Sequence, residues 1–193
     1  ENMNNSAFRE KHIAISEGRF IALNKVIFVD ERGRKREWES ADRLNTKGAV
    51  MIIGHLMPSN RILITRQFRP PTGKYVLEFP AGLIDPGEAP EATAKRELLE
   101  ETGYHGLLTF CSCPVYSSAG LSGEATNIAI VEINDYDFAA GAPTPHQEDS
   151  ENIEIFAVKT AELHDFINQA IARGDGIDSK LLTFMMAQEF FHA

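Results

Sequence analysis

The stretch Gly82-Leu83-Ile84-Asp85-Pro86-Gly87-Glu88-Ala89-Pro90-Glu91-Ala92-Thr93-Ala94-Lys95-Arg96-Glu97-Leu98-Leu99-Glu100-Glu101-Thr102-Gly103-Tyr104 decides how the rest of this chain is read. Its front half is a loop. Asp85-Pro86-Gly87 is a turn tripeptide, and Gly82 ahead of it permits a backbone bend that a side chain would hinder. Pro90 suits the first turn of a helix, where a missing N–H costs nothing. From Ala89 to Thr102 the residues are mostly strong helix formers, and Gly103 is placed to stop the helix as its C-terminal cap.

On a helix turning about 100° per residue, Glu97, Glu100 and Glu101 fall within an arc of roughly 100°. Like charges at these spacings repel, each pair costing an isolated helix about 0.2–0.5 kcal/mol. Leu98 and Leu99 point elsewhere and are free to hold the helix on a core. A glutamate run is ordinarily a solvated face. A face of adjacent carboxylates that costs stability is also what a hard divalent cation requires, and Mg²⁺ in particular takes oxygen ligands and is shared with substrate phosphates.

The glutamates are tied to the glycine-turn loop at fixed spacing. Five residues separate Gly82 from Glu88, seven separate Glu88 from Arg96, and Arg96-Glu97-Leu98-Leu99-Glu100-Glu101-Thr102-Gly103-Tyr104 follows. This resembles the box of the Nudix hydrolase family, Gly-x5-Glu-x7-Arg-Glu-U-x-Glu-Glu-x-Gly-U with U apolar. Every fixed position matches, Tyr104 being an aromatic version of the last. The resemblance implies an α/β (α+β) Nudix fold: a mixed β-sheet sandwiched between helices, preceded by an N-terminal antiparallel β-segment. It divides the chain into that segment, residues 1–45, and a catalytic domain, residues 46–193.

Composition is ordinary for a soluble globular protein. The 193 residues are 43% hydrophobic and 24% charged, with a formal net charge of -9, which argues against a nucleic-acid surface. A phosphate ligand would be met instead by a metal and a few placed arginines. No apolar run approaches a membrane span, and Glu1-Asn-Met-Asn-Asn5 lacks a signal-peptide pattern. Cys111 and Cys113 suit neither a zinc knuckle nor a disulfide framework, so reduced thiols in a cytoplasm are expected.

Along the chain, residues 18–42 read as strands around the turn Asp30-Glu-Arg-Gly33. Ala49–Leu56 and Arg61–Phe68 form a hairpin about Pro58-Ser-Asn60, in which His55 reads as a satisfied strand residue. Leu107–Tyr116, Asn127–Asn134 and Ile153–Val158 are further strands. Ser117–Glu124 and Ala139–Ser150 are loops. Thr160 is placed to cap a helix reaching Arg173, and Asp178 a second from Ser179 to about Phe190.

Three segments resemble the ADP-sugar branch of the Nudix family. Trp38-Glu39-Ser40, with Arg43 shortly after, is similar to an N-terminal segment that exchanges across a homodimer and stacks its aromatic on adenine, so Trp38, Glu39 and Arg43 are expected to bind substrate. Gln67-Phe-Arg69-Pro-Pro71 followed by Leu77-Glu-Phe-Pro-Ala-Gly-Leu-Ile84 implies that Arg69 contacts a diphosphate and that the carbonyl of Ala81 ligates metal. Glu78 reads either as a polar strand residue or as a partner of that site. In Ser117–Glu124, Leu121 and Glu124 are expected at the terminal sugar, although Ala119-Gly120 departs from the Pro-Gly of many relatives. The resemblance also implies Glu151 as general base, with Glu148 the second choice. Glu97 and Glu101 are expected as the principal ligands of Mg²⁺, for which Mn²⁺ substitutes. Glu100 assists, while Arg96 and Glu88 form an ion pair joining loop to helix.

The implied activity is hydrolysis of a nucleoside diphosphate sugar, foremost ADP-ribose to AMP and ribose 5-phosphate, by a cytoplasmic homodimer that meets neither nucleic acid nor membrane. The alternatives are another nucleotide sugar such as GDP-mannose, or a non-catalytic module that senses one.

Overall fold

The computed structural model describes residues 6–147 and 152–191. Its N-terminal part is an antiparallel meander of β1 (Phe8–Glu17), β2 (Ile21–Val29) and β3 (Lys35–Arg43), in that order across the sheet. The β2–β3 turn forms where the sequence places it: Asp30 Oδ1 accepts the N–H groups of Arg32 and Arg34 at 3.0 and 2.9 Å. Strand β1 is not legible in the sequence. Every one of its residues is exposed, so neither face imposes the two-residue alternation by which a half-buried strand is recognised.

Among the described residues the second sheet has nine strands: β4 (Ala49–Met57), β5 (Arg61–Arg69), β6 (Lys74–Glu78), β7 (Ala81–Leu83), β8 (Leu107–Cys111), β9 (Val115–Tyr116), β10 (Ala125–Asn134), β11 (Glu154–Lys159) and β12 (Gly176–Ile177). The path runs β12-β6-β5-β4-β10-β8, with β11 beside β5, β7 beside β4 and β9 beside β10. Pairs β4–β10 and β6–β12 are parallel and the others antiparallel, which makes this the expected mixed sheet. Helices α1 (Pro90–Thr102), α2 (Leu163–Arg173) and α3 (Ser179–Phe191) cover it. None is long and apolar enough to cross a membrane among the described residues.

Strand β4 explains the layering. Ala49-Val-Met-Ile-Ile-Gly-His-Leu-Met57 is apolar in both registers because both of its faces are covered. Val50, Ile52 and Leu56 pack with Ala94 and Leu98 of α1. Met51 packs on the opposite side with Leu163 and Ile167 of α2 and Leu181 and Met185 of α3. Each of the Val, Leu, Ile and Met side chains, fully buried, contributes about 1.5–3 kcal/mol. The expected sandwich is therefore present, with α1 on one face.

Two local expectations are corrected. The strand read through 107–116 breaks at 112–114, where Pro114 has no N–H for the ladder and the Ser112 hydroxyl instead accepts from Ile128 N at 2.9 Å. Thr160 does not cap α2. Residues Thr160–Glu162 form a 3₁₀ turn, and the Thr160 hydroxyl accepts from Asn60 Nδ2 at 2.7 Å instead. Asp178 does cap α3, accepting from Lys180 N at 2.8 Å. His55 is satisfied by Asn60, 2.7 Å away, and both cysteines are free thiols.

Candidate active site

The box folds as strand, loop and helix. Ala89 precedes the helix in extended conformation, Pro90 occupies its first turn, and Gly103 closes it at φ 74°, donating to Leu99 O at 2.8 Å. Gly82, however, is not a bend. It lies in β7, paired with Val50, and its smallness serves the glutamate across from it. A Cβ at Gly82 would sit 1.9 Å from the carboxyl carbon of Glu97 and 2.0 Å from its Oε1. The carboxylate is laid directly against the backbone of β7.

Arg96 joins the parts. Its Nε and Nη2 each donate to Glu88 at 3.0 Å, and Nη2 also reaches Leu83 O at 3.2 Å. Its Nη1 lies between two of the acids, donating to Glu97 Oε1 at 2.8 Å and Glu100 Oε2 at 3.0 Å. The expected Glu88–Arg96 pair is thus present, and the same guanidinium holds positive charge against the carboxylate face. Hydrogen bonds from Arg96, and one from the Thr93 hydroxyl at 2.7 Å, hold the Glu88 carboxyl down to about 2 from an ordinary 4.5. A carboxyl depressed by folding adds stability that is complete above its unfolded value and lost as pH falls through the folded one. The stability difference between wild type and Glu88→Gln is therefore expected to be constant above about pH 5 and to close between about pH 4.5 and pH 2. Thermal melts across that range measure it.

Glu101 is 3% exposed, and one of its oxygens, Oε2, accepts the N–H of Ala81 at 3.1 Å. Ala81, Glu97, Glu100, Glu101, Arg69 and Gln67 line one cleft of about 330 Å³. Arg69 forms a two-pronged ion pair with Glu78, at 2.7 and 2.9 Å, which answers the open question about Glu78. Burial works against the Arg69 charge, but Glu78 more than offsets it, with Glu101 and Asp178 adding to the field, so its pKa is raised. As the side chains stand, the described acids do not form a cluster of three ready to hold a metal. The donor set nevertheless fits a hard cation: it is all oxygen, it shares one cleft, and two of its members already face a positive group.

The other predicted residues gather elsewhere. Trp38, half exposed on β3, donates its indole N–H to Gly120 O at 2.9 Å. Arg43 pairs with Glu124 at 2.9 Å, and Leu121 O accepts Ala41 N–H at 2.9 Å. By strand alternation Glu39 projects from the opposite face to Trp38. Trp38 and Leu121 line a cavity of about 300 Å³, and Arg43 and Glu124 an adjoining one of about 240 Å³, both separate from the acid cleft. Asp42, which the sequence reading passed over, rivets this region. It accepts from Asn24 at 2.9 Å, Ser40 at 2.8 Å, Ser122 at 3.2 Å and Gly123 N at 2.8 Å, with His12 at 3.2 Å. Its burial pushes the carboxyl up, and those hydrogen bonds outweigh it and hold the carboxyl below its usual range.

Glu148 and Glu151, the two candidates for the base, lie outside the described residues. The chain on either side of them is described. Gln147, also unmarked by the sequence reading, donates to Glu101 O, while His146 N donates to Glu100 O at 2.8 Å.

A mixed sheet between helices, with a loop–helix box presenting glutamates at a cleft, defines the Nudix class. Residues 45–174 match the family model described as NUDIX domain, and the chain belongs to the Nudix hydrolase family. It is 37% identical over 156 residues to the mouse protein named ADP-sugar pyrophosphatase, spanning 77% of this chain and 72% of that one. It is also 37% identical over 164 residues to the Saccharomyces cerevisiae protein named ADP-ribose pyrophosphatase, spanning 81% and 70%. A crystal structure of an ADP compounds hydrolase superposes with a TM-score of 0.65, at 21% identity, over 87% of this chain and 86% of that one, which supports the fold. Nudix hydrolases generally use a divalent metal.

Proposed function

We propose that this chain hydrolyses the diphosphate of ADP-ribose or a related ADP-sugar, giving AMP and a sugar phosphate. The observation that carries the proposal is the gathering of Glu97, Glu100, Glu101 and Arg69 at one cleft, in a chain whose long matches include proteins of those names. Glu97 and Glu101 would hold Mg²⁺, or Mn²⁺ in its place, with Glu100 and the Ala81 carbonyl completing the protein's share. Such an ion supplies a bound water of lowered pKa and offsets charge on phosphoryl oxygens.

The chain's own residues do the rest. Arg69, rigid beside Pro70 and Pro71 and half withdrawn from solvent, is held by Glu78 through Nε and one Nη2 hydrogen, and its remaining N–H donors orient a phosphate. Glu151 takes the proton of the attacking water. A new P–O bond forms from that water, the bridging P–O bond breaks, and its electron pair leaves on the oxygen of the departing phosphate. Product analysis in ¹⁸O water with Mg²⁺ tests this. AMP and ribose 5-phosphate, one of them carrying the label, are expected from ADP-ribose. Preferred turnover of GDP-mannose would move the substrate, and tight binding without turnover of any nucleotide sugar would make the domain a sensor.

The reading includes a cytoplasmic homodimer in which the N-terminal β-segment reaches the partner's site. Support comes from the sheet itself. Phe8, Ile13, Ile15, Ile21 and Leu23 are exposed on it and Phe20 on its β1–β2 turn, a large apolar area for a free surface. Sedimentation equilibrium is expected to give twice the chain mass, and the double variant Ile13→Asp/Ile15→Asp half of that. A monomeric wild type at micromolar concentration would reject the dimer.

A further inference from the structure

The amide of Gln147 spends both of its donors and its acceptor oxygen on the backbone of two residues. Its Nε2 donates to Glu101 O at 3.1 Å and to Ile153 O at 2.8 Å, and its Oε1 accepts from Ile153 N at 3.1 Å. Only a primary amide of this length has two donors and an acceptor so arranged; a carboxylate lacks the donors and an ammonium the acceptor. The oxygen and nitrogen positions are fixed by chemistry, because the Ile153 N–H needs an acceptor.

Two further contacts seat the same segment on the same place. His146 N donates to Glu100 O at 2.8 Å, and the backbone of Thr144 lies so close to Gly103 that a Cβ there would meet Thr144 O at 2.7 Å. Glu100 O and Glu101 O are among the last-turn carbonyls of α1, which have no partner within the helix. Satisfying Glu101 O would require only one donor. The pair of bonds to the N–H and C=O of Ile153 does nothing for α1, and instead fixes the entry to β11 relative to the backbone of Glu101.

We propose that Gln147 is a positioning residue of the hydrolytic site, indexing the last turn of α1 and the start of β11 to one another through a single amide. The proposal rests on the reading of Glu97, Glu100 and Glu101 as metal-holding acids. It bears on catalysis because the carbonyl that Gln147 holds belongs to Glu101, whose side chain lines the acid cleft.

The test compares Gln147→Leu and Gln147→Glu with wild type in the full chain. Glutamate keeps the shape and the acceptor but loses both donors, so the two variants are expected to behave alike. For each, kcat on ADP-ribose with Mg²⁺, normalised to folded enzyme, is expected to fall about tenfold with KM within threefold, and Mn²⁺ affinity by electron paramagnetic resonance to weaken about threefold. A purely structural residue would lower the folded fraction and leave normalised kcat and Mn²⁺ affinity at wild-type values, and that result would overturn the proposal. So would a Gln147→Glu variant with wild-type kcat. A wild type that binds Mn²⁺ without hydrolysing ADP-ribose would sink the substrate reading alone; the Mn²⁺ arm then still decides whether Gln147 sets the acid face.

Discussion

Glu97→Gln is expected to lower kcat for ADP-ribose by about three orders of magnitude or more while the protein melts within about 4 °C of wild type. The side chain keeps its length, and an amide oxygen can still accept from Arg96 Nη1, which now lies 2.8 Å from Glu97 Oε1. What disappears is a negative charge at the mouth of the cleft. A metal clamp on a phosphoryl group supplies several kcal/mol of transition-state stabilisation, and each 1.36 kcal/mol is a factor of ten in rate, so losing a principal ligand costs about a thousandfold. Steady-state kinetics over a Mg²⁺ series, beside a melting curve, decides the matter. Retained Mg²⁺-dependent hydrolysis would falsify the assignment of Glu97 as a ligand.

Gly82→Ala carries the second large effect, and it separates fold from activity. The new methyl would overlap the Glu97 carboxyl group, whose carbon lies 1.9 Å from the Cβ position. Those atoms are the far end of a flexible side chain, whereas β7 is pinned to β4 through the Ala49–Leu83, Val50–Gly82 and Met51–Ala81 pairs. The strand therefore stays and the carboxylate moves. Alanine is no worse than glycine in an extended strand, so the melting temperature is expected to hold within a few degrees. Turnover should fall about a hundredfold or more, since displacements of about 1 Å at a reacting centre cost that much. A Gly82→Ala protein with wild-type kcat would show that the close packing of Glu97 against β7 has no part in catalysis.

How much of this was legible in the sequence follows from where each signal lives. The ends of α1 are local. Pro90 and Gly103 act through their own backbone geometry, so the helix is found where the sequence puts it. The Glu88–Arg96 pair is equally local, eight residues apart across one turn and two turns of helix. The layers around β4 follow from its unbroken apolar run. Gly82 was recognised for the wrong reason: a bend is the ordinary use of a glycine before a turn, and nothing in the linear pattern says that a glutamate fifteen positions later will lie on its α-carbon. The pairings of Arg69 with Glu78, Arg43 with Glu124, and Asp42 with Ser122 and Gly123 were not legible as pairings. Each joins residues that meet only once sheets and loops have assembled. Strand β1 was missed because an element with no buried face leaves no hydrophobic period to find.

The parallel ladder between β4 and β10 has a consequence for how the molecule comes into being. It aligns Ala49 with Thr126 and Met57 with Asn134, so the whole box lies inside the long loop that this ladder closes. Joining such distant segments costs chain entropy before any contact repays it, which delays the step relative to the local β7–α1 contacts. A nascent chain that has emerged only as far as Thr102 already carries every acid of the cleft. It still lacks the strand that seals the sheet above them, so the hydrolase is expected to become competent only after β10 has left the ribosome and docked.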